Sequence, residues 1–346
     1  LAEALGIAKG TVSRALNGYS DISDGTKLRV AKQAEAMGYR PLSHAQAIKT
    51  GRVRSLGLVL QVNERDGQRP FLTDFLDGVS RQASAESWTL TVATATSEAE
   101  GLATIRRLAQ ERKADGFILP RTKINDPRVT ILNDLGVPFV LYGRTRDLGN
   151  SAWFDFLGED AIEEAVIRLA NFGHRRIGFI NGGKNFNYSL LREKGYRTGL
   201  KRVGFKLDRS LIRKDAVTSK QGYKQGLSLL RLDAPPTALV CALDMVALGV
   251  YRAAKESGVT IGRDLSVIAY DGIPEGGYAD PPLTTFSVDS RIAGERLAAL
   301  LIESIRGAQS ETLRESAYAT LIARGSDGPP VCDSGELARK IRAATK

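Results

Sequence analysis

Cysteine and histidine are nearly absent from this sequence, with two of each in 346 residues. Cys241 lies inside the apolar run TALVCAL and Cys332 in a polar stretch near the end, so they suggest neither a disulfide framework nor a metal site. With His44 and His174 as the only histidines, a zinc site or a histidine-based triad has almost no material. Long hydrophobic runs are missing too: none approaches the ~18–20 residues that span a bilayer. No secretory signal follows Leu1. The expectation is a cytoplasmic protein with no cofactor, no metal and no membrane contact.

What is present is a 42% hydrophobic chain, long enough for two or three domains with cores of their own. Its formal charge is +10, and it is unevenly spread. Residues 1–54 carry nine Lys and Arg against four Asp and Glu, whereas residues 55–346 carry forty against thirty-five. That is the pattern of a basic module on a near-neutral body. A merely solvated basic surface is the alternative.

The stretch GIAKGTVSRALNG, residues 6–18, sharpens the point. At 100° per residue, Lys9, Gly10, Ser13, Arg14 and Asn17 share one helix face, and Val12, Ala15 and Leu16 the other. The polar face holds cationic, hydroxyl and amide groups and no carboxylate, which suits an anionic partner. A first helix is expected to end near Leu5 at Gly6, a second to run from about Ala8 to Asn17, and a third to start after Ser23 and end near Met37. Helix, turn, helix at this spacing places the basic face on a second, groove-entering helix. Residues 39–55, YRPLSHAQAIKTGRVRS, carry too little apolar surface to hold a helix alone and read as a linker that becomes helical with a partner.

From Ser55 onward, short β runs alternate with helices. Strands are predicted at 55–60, 88–95, 115–119, 137–142, 175–180, 237–242 and 265–270, with helices such as 158–172, 189–203, 219–231 and 244–257. Such alternation implies parallel sheets flanked by helices, with ligands at the carboxyl ends of the strands. The strand number suggests two α/β lobes with a cleft between them.

In order along the chain, GIAKGTVSRALNG, DGTKLRVAKQAEAMGYRP, DMVALGVYRA, DLSVIAYDGIP and PPLTTFSVD resemble the LacI/GalR family of bacterial transcription regulators, over residues 1 to about 325. The resemblance implies a small all-α helix-turn-helix headpiece plus an α/β periplasmic-binding-protein-like core of two doubly wound parallel-sheet lobes. The headpiece would be 1–40, the hinge helix or linker 41–54 and the effector-binding and dimerisation domain 55–325. Its N-lobe would comprise about 55–155 plus 285–315 and its C-lobe about 156–284 plus 316–325, leaving 326–346 as a flexible tail.

The resemblance also assigns roles. Lys9, Gly10 and Arg14 match base-reading positions, though Gly10 brings no side chain; an arginine there can bridge guanine O6 and N7. Thr11, Ser13 and Asn17 match phosphate-gripping positions, which set register. Ile48 matches a residue that wedges into the central minor-groove step; plain packing is the alternative. Ala8 and Leu42 depart from the usual hydroxyl and Asn. In the cleft, Arg192 and Asp271 match ligand-gripping positions, against the alternative of an ion pair across the lobes. Phe156 could stack on a sugar face, with Tyr142, Arg121, Phe71 and Tyr188 as further lining residues; for the aromatics, core packing is the competing reading. Leu243 and Gly143 depart from an Asn or other polar residue and from an Asp, so ligand identity does not carry over. Arg121 and Arg144 add positive charge.

A sugar is therefore the first expectation, an anionic or phosphorylated sugar the second, and a purine or nucleoside the third. The run RRIGFINGGKN lacks the spacing of a phosphate loop. An effector-controlled repressor acting as a homodimer on a near-palindromic operator is expected. A transport-type binding protein fits the helix-turn-helix poorly. An enzyme lacks a nucleophile–base pair, a metal set and a GxGxxG after the first strand. The last residues carry no sustained leucine heptad, which favours a dimer over a coiled-coil tetramer.

Overall fold

The computed structural model describes residues 1–16, 18–39, 51–62, 69–146 and 149–344, with side chains at 69–71 left aside. It divides into two units, Leu1–Val53 and Arg54–Lys346.

The first unit contains α1 (Ala2–Leu5), α2 (Lys9–Leu16) and α3 (Asp24–Ala36). Gly6, at φ 64°, ends α1 in the left-handed conformation that glycine tolerates. The Ser23 hydroxyl accepts from the Thr26 amide and starts α3. Val12, Ala15 and Val30 form the core, with Leu5, Ile7, Leu16 and Ile22 packed against it. The apolar face predicted for α2 is thus the inward one.

The second unit holds two six-stranded sheets. The first comprises β1 (Ser55–Gln61), β2 (Thr89–Ala95), β3 (Gly116–Pro120), β4 (Phe139–Tyr142), β5 (Ala152–Phe156) and β11 (Arg314–Ala317), in the order β11-β5-β4-β3-β1-β2 and parallel throughout. The second comprises β6 (Ile177–Ile180), β7 (Ile212–Arg213), β8 (Ala238–Cys241), β9 (Ser266–Asp271), β10 (Thr284–Ser287) and β12 (Thr320–Ile322), in the order β12-β10-β9-β8-β6-β7. Only β12 runs antiparallel, as an edge strand. Edge strands of opposite direction are common on such sheets.

Helices cover both sheets. The helix Arg69–Ala85 packs on the helix Ser290–Arg306, and the pair is drawn together at Gly78 and Gly294. A Cβ on Gly78 would stand 2.0 Å from the Arg291 carbonyl oxygen, so only glycine permits this approach.

The chain passes between lobes after Phe156, after Ser287 and after Ala317. Strand 284–287 belongs to the second sheet, so the expected lobe boundary at 285 moves a few residues onward. The larger correction concerns the stretch expected as a flexible tail, 326–346, of which residues 326–344 are described. These are not loose: Ser334–Ala344 is helical, and Leu337 and Ile341 are buried in the same cluster as Val250 and Leu265. Preceding them, Ser326 accepts from the Thr284 amide at 2.8 Å and donates to the Val267 carbonyl at 2.6 Å. Buried His174 holds the same segment through the Gly328 carbonyl at 2.9 Å, and its ring also meets the Thr237 and Ser266 hydroxyls.

Candidate DNA-contact face and effector cleft

On α2, Lys9, Gly10, Ser13 and Arg14 are exposed and Thr11 is half-buried. Helix α2 itself carries no carboxylate, but Arg14 is ion-paired with Asp21 from the following turn, and its guanidinium lies 5.2 Å over the Tyr19 ring. The carboxylate-free face is therefore partly masked by a neighbour that the helical wheel does not include. Asn17, Leu42 and Ile48 lie outside the described residues, as does the Phe71 side chain.

In the second unit, a cleft of about 210 Å³ opens between the lobes at the carboxyl ends of the parallel strands. Arg121 follows β3, Tyr142 closes β4 with Arg144 two residues beyond, Asp155 and Phe156 close β5, and Tyr270 and Asp271 close β9. Tyr188 and Arg192 come from the helix Asn187–Arg202. Six of the seven predicted cleft residues, all but Phe71, are thus brought together.

Arg192 is buried, with its guanidinium 3.9 Å from the Tyr270 ring centre and 4.7 Å from that of Tyr188. It donates to the Ala242 carbonyl and stands 3.9 Å from an Asp271 oxygen. Both residues belong to the same lobe, which corrects the alternative of an ion pair across the lobes. Burial pushes the Asp271 carboxyl up to about 8, against the pull of Arg192 and with the help of nearby Asp244. Tyr142 stacks on Phe75 with centroids 5.5 Å apart, and Phe156 packs edge-on against Phe154 at 5.3 Å. Both rings pack with the core of the first lobe and also line the cleft.

The sequence reading missed a second polar group. Arg144 donates to Asp155 at 2.7 Å and to both oxygens of Glu159 at 2.8 and 2.9 Å. Arg144 therefore does not present the surplus positive charge expected of it. Burial pushes Asp155 up to about 6, opposed by Arg144. Because Glu159 lies in the helix Gly158–Asn171 of the second lobe, this fork ties the lobes at the crossover. A second tie lies at the Arg121 side: the Ile124 amide donates to the Asn185 carbonyl at 3.0 Å and the Asn187 amide to the Thr122 carbonyl at 3.1 Å. Arg121 lies 4.9 Å over Phe186 beside that bridge. Gly182 and Gly183 of the glycine-rich run pack under Tyr188 and Phe186, where a Cβ would come within 2.5 and 2.9 Å of the rings. Ring packing explains these glycines without a phosphate.

Among the described residues, no group of His, Cys, Asp or Glu is arranged to hold a metal ion, and no helix is long and apolar enough to cross a membrane.

Comparison with known proteins agrees with both units. Residues 1–42 match the family described as "Bacterial regulatory proteins, lacI family", and residues 166–326 match "Periplasmic binding protein-like domain". The HTH-type transcriptional regulator AglR of Rhizobium meliloti (strain 1021) is 36% identical over 337 residues, covering 95% of this chain and 93% of that protein. The HTH-type transcriptional regulator RafR of Escherichia coli is 30% identical over 316 residues, covering 91% and 93%. Among solved structures, a complex of the transcriptional regulator CelR with cellobiose superposes with a TM-score of 0.74 at 27% identity, covering 94% of this chain and 98% of that one. With the helix-turn-helix unit, the two-sheet core and these relatives in agreement, the chain belongs to the LacI family of DNA-binding transcription regulators.

Proposed function

We propose that the protein is a repressor of carbohydrate uptake or catabolism genes, released from or held on its operator by an uncharged sugar bound between the lobes. The carrying observation is the charge balance of the cleft. Among its described lining residues, Asp74, Asp155, Glu159 and Asp271 face Arg121, Arg144 and Arg192. Arg144 is saturated by two carboxylates, so an anionic effector that reached it would have to displace an existing partner, and Arg192 already donates to the Ala242 carbonyl beside Asp271. Charged donors and acceptors beside tyrosine and phenylalanine faces suit a ligand with hydroxyl edges and apolar ring faces. The cellobiose complex of a relative supports the same class.

In this reading Arg192 and Asp271 grip hydroxyls, while Phe156, Tyr142, Tyr188 and Phe71 offer ring faces and Arg121 flanks them. In the headpiece Lys9, Gly10 and Arg14 read bases, Thr11, Ser13 and Asn17 grip phosphates, and Ile48 wedges the minor groove. Two headpieces of a homodimer then require a near-palindromic operator. An effector that prefers one lobe arrangement changes operator affinity by its preference ratio, typically 5–150-fold, or about 1–3 kcal/mol.

A thermal-shift screen of the full chain against neutral mono- and disaccharides, sugar phosphates, polyols and purines tests this. A ligand at 100 times its Kd stabilises the fold by about 2.7 kcal/mol. Stabilisation by neutral sugars is expected. A response confined to sugar phosphates or to purines and nucleosides would refute the effector class and leave the DNA-binding regulator intact.

A further inference from the structure

The turn that follows Asp271 is held from below by a carboxylate absent from the cleft wall. Asp244 opens the helix Asp244–Glu256 and is fully buried. One of its oxygens accepts from the Gly272 amide at 2.8 Å and from the Ile273 amide at 2.9 Å, and the other accepts from the Thr285 hydroxyl at 2.6 Å. A buried carboxylate is costly unless its oxygens are satisfied, and three donors plus the helix N-terminus satisfy this one.

The turn needs such a brace. Asp271 has φ 129° and Gly272 has φ 80°, conformations that L residues rarely adopt. A Cβ on Gly272 would stand 2.2 Å from the Ser287 hydroxyl oxygen. Backbone of this kind persists only where its surroundings over-determine it. The two amides that Asp244 accepts from are those immediately after Asp271, so it fixes the direction in which the Asp271 carboxylate leaves the strand.

We propose that Asp244 is a positioning residue for effector recognition, bracing the Gly272–Ile273 turn so that Asp271 is presented beside Arg192. This rests on the reading of Asp271 as an effector ligand. The brace is also electrostatic. Asp271 feels Arg192 and Asp244, with the Tyr142, Tyr188 and Tyr270 phenols around it. Asp244 in turn faces Thr285, with Arg324, Cys241 and Tyr251 within electrostatic range. Burial pushes the Asp244 carboxyl up too, opposed by the Thr285 hydroxyl and the two amides, and in its ionised form it holds the Asp271 proton on to higher pH than burial alone.

The test uses the full chain and the neutral mono- and disaccharides of the screen, with cellobiose as first probe and maltose and sucrose beside it. Asp244→Ala leaves two amides and a hydroxyl unpaired and is expected to weaken sugar binding about tenfold or more. Added to Asp271→Ala it should weaken binding no further, since both act through one group. Asp244→Asn can accept both amides with its carbonyl and donate to the Thr285 oxygen, so it should restore most of the affinity. Having lost the charge, it should also move the pH midpoint of sugar binding, and of the Asp271 carboxyl signal in 13C-aspartate-labelled protein, to lower pH. If Asp244→Ala does not fold, the Asn variant decides by these midpoints. Unmoved midpoints, or additive losses in the double variant, overturn the positioning role. If Asp271→Ala binds sugar like the wild type, or no sugar binds the wild type, the effector-site reading fails first and takes this inference with it.

Discussion

The headpiece core rests on one small cluster of buried apolar side chains, Val12, Ala15 and Val30, whereas the body buries four large clusters around two sheets. The two surfaces proposed for recognition differ in the same way. Lys9, Gly10, Ser13 and Arg14 come from two turns of one helix, so their juxtaposition is set by helical period alone. The cleft gathers Arg121, Tyr142, Asp155, Tyr188, Arg192 and Asp271 from the ends of three strands, one helix and the turn after a fourth strand, scattered between positions 121 and 271. The small unit can present a site but not much stability; the large one can hold buried charge at fixed geometry. DNA contact and effector contact should therefore fail separately when each is damaged.

The largest effect expected is in the cleft. Arg192→Ala removes one partner of a buried charged network, a change that commonly costs about 2–5 kcal/mol, or roughly 30-fold to several thousand-fold in affinity. Sugar-induced change in operator affinity should disappear while operator binding without sugar stays as in the wild type. Fluorescence anisotropy with labelled operator, with and without sugar, measures both. A matching loss of sugar-free operator affinity would break the separation of the two regions.

Their legibility differs for the same physical reason. The α2 face could be read from GIAKGTVSRALNG because neighbours on a helix are neighbours in sequence, and the structure exposes Lys9, Gly10, Ser13 and Arg14 as the pattern implies. What could not be read was Asp21, which reaches Arg14 from a turn with no period. In the body, the apolar central strands 55–61, 116–120, 139–142 and 266–271 stand where their runs suggest. Strands 152–156 and 314–317 were invisible because AWFDF carries an acid and RESA is mostly polar; tertiary pairing makes them strands. That miss hid Asp155, and with it the fork that neutralises Arg144. The helix Ser334–Ala344 was missed because its apolar stripe is narrow, with Leu337, Ala338 and Ile341 its buried residues. The polar residues of the cleft are gathered by strand order, which no local pattern announces.

Removing the same two methyl groups in each region sharpens the contrast in stability. Val30→Ala and Val250→Ala each excise a fully buried valine, at a cost of about 2–3 kcal/mol. In the headpiece, with so few buried apolar residues, that loss should unfold the unit and abolish operator binding at room temperature. In the body it should lower the melting temperature by a few degrees and leave both ligands bound. Circular dichroism melts followed by operator titration separate the outcomes. A headpiece that keeps operator affinity after Val30→Ala would show that its stability does not rest on this core.

Smaller changes are expected on the α2 surface. Arg14→Ala should cost about 1–3 kcal/mol at the cognate half-site and relax base preference there, whereas Ser13→Ala should weaken all sequences alike. Asp21→Ala should act in the opposite direction. The Arg14–Asp21 pair is half-exposed and such pairs are worth about 0.2–1 kcal/mol, so releasing it should raise operator affinity by at most a few-fold. Because the pair competes with phosphate and base for one guanidinium, the gain should shrink as salt rises. Unchanged affinity at low salt would mean that Arg14 does not leave Asp21 for DNA.

The smallest effect is a pH dependence of the body's stability, carried by His174. Burial holds the His174 imidazole below its ordinary pKa, against the pull of the Gly328 carbonyl and Asp327. Below about pH 6.5 the unfolded chain takes up a proton that folded His174 resists, so the unfolded state binds more protons there. The stability this group contributes is therefore complete above that pH and falls as pH drops towards the lower folded value, by at most about 1.4 kcal/mol per pH unit. The cleft carboxyls act in reverse. Asp155 and Asp271, raised to about 6 and about 8, bind protons more tightly in the folded chain and favour it as pH falls through those values. Comparison with His174→Gln isolates the histidine, because that variant keeps an amide to meet Thr237, Ser266 or Gly328 and has no proton to gain. Between pH 7.5 and 5.5 the wild-type melting temperature should fall relative to the variant's, with the two curves parallel above pH 7. Parallel curves over the whole range would mean that His174 takes up its proton in the folded chain as readily as in the unfolded one, and that the strap at 326–328 holds without a neutral ring.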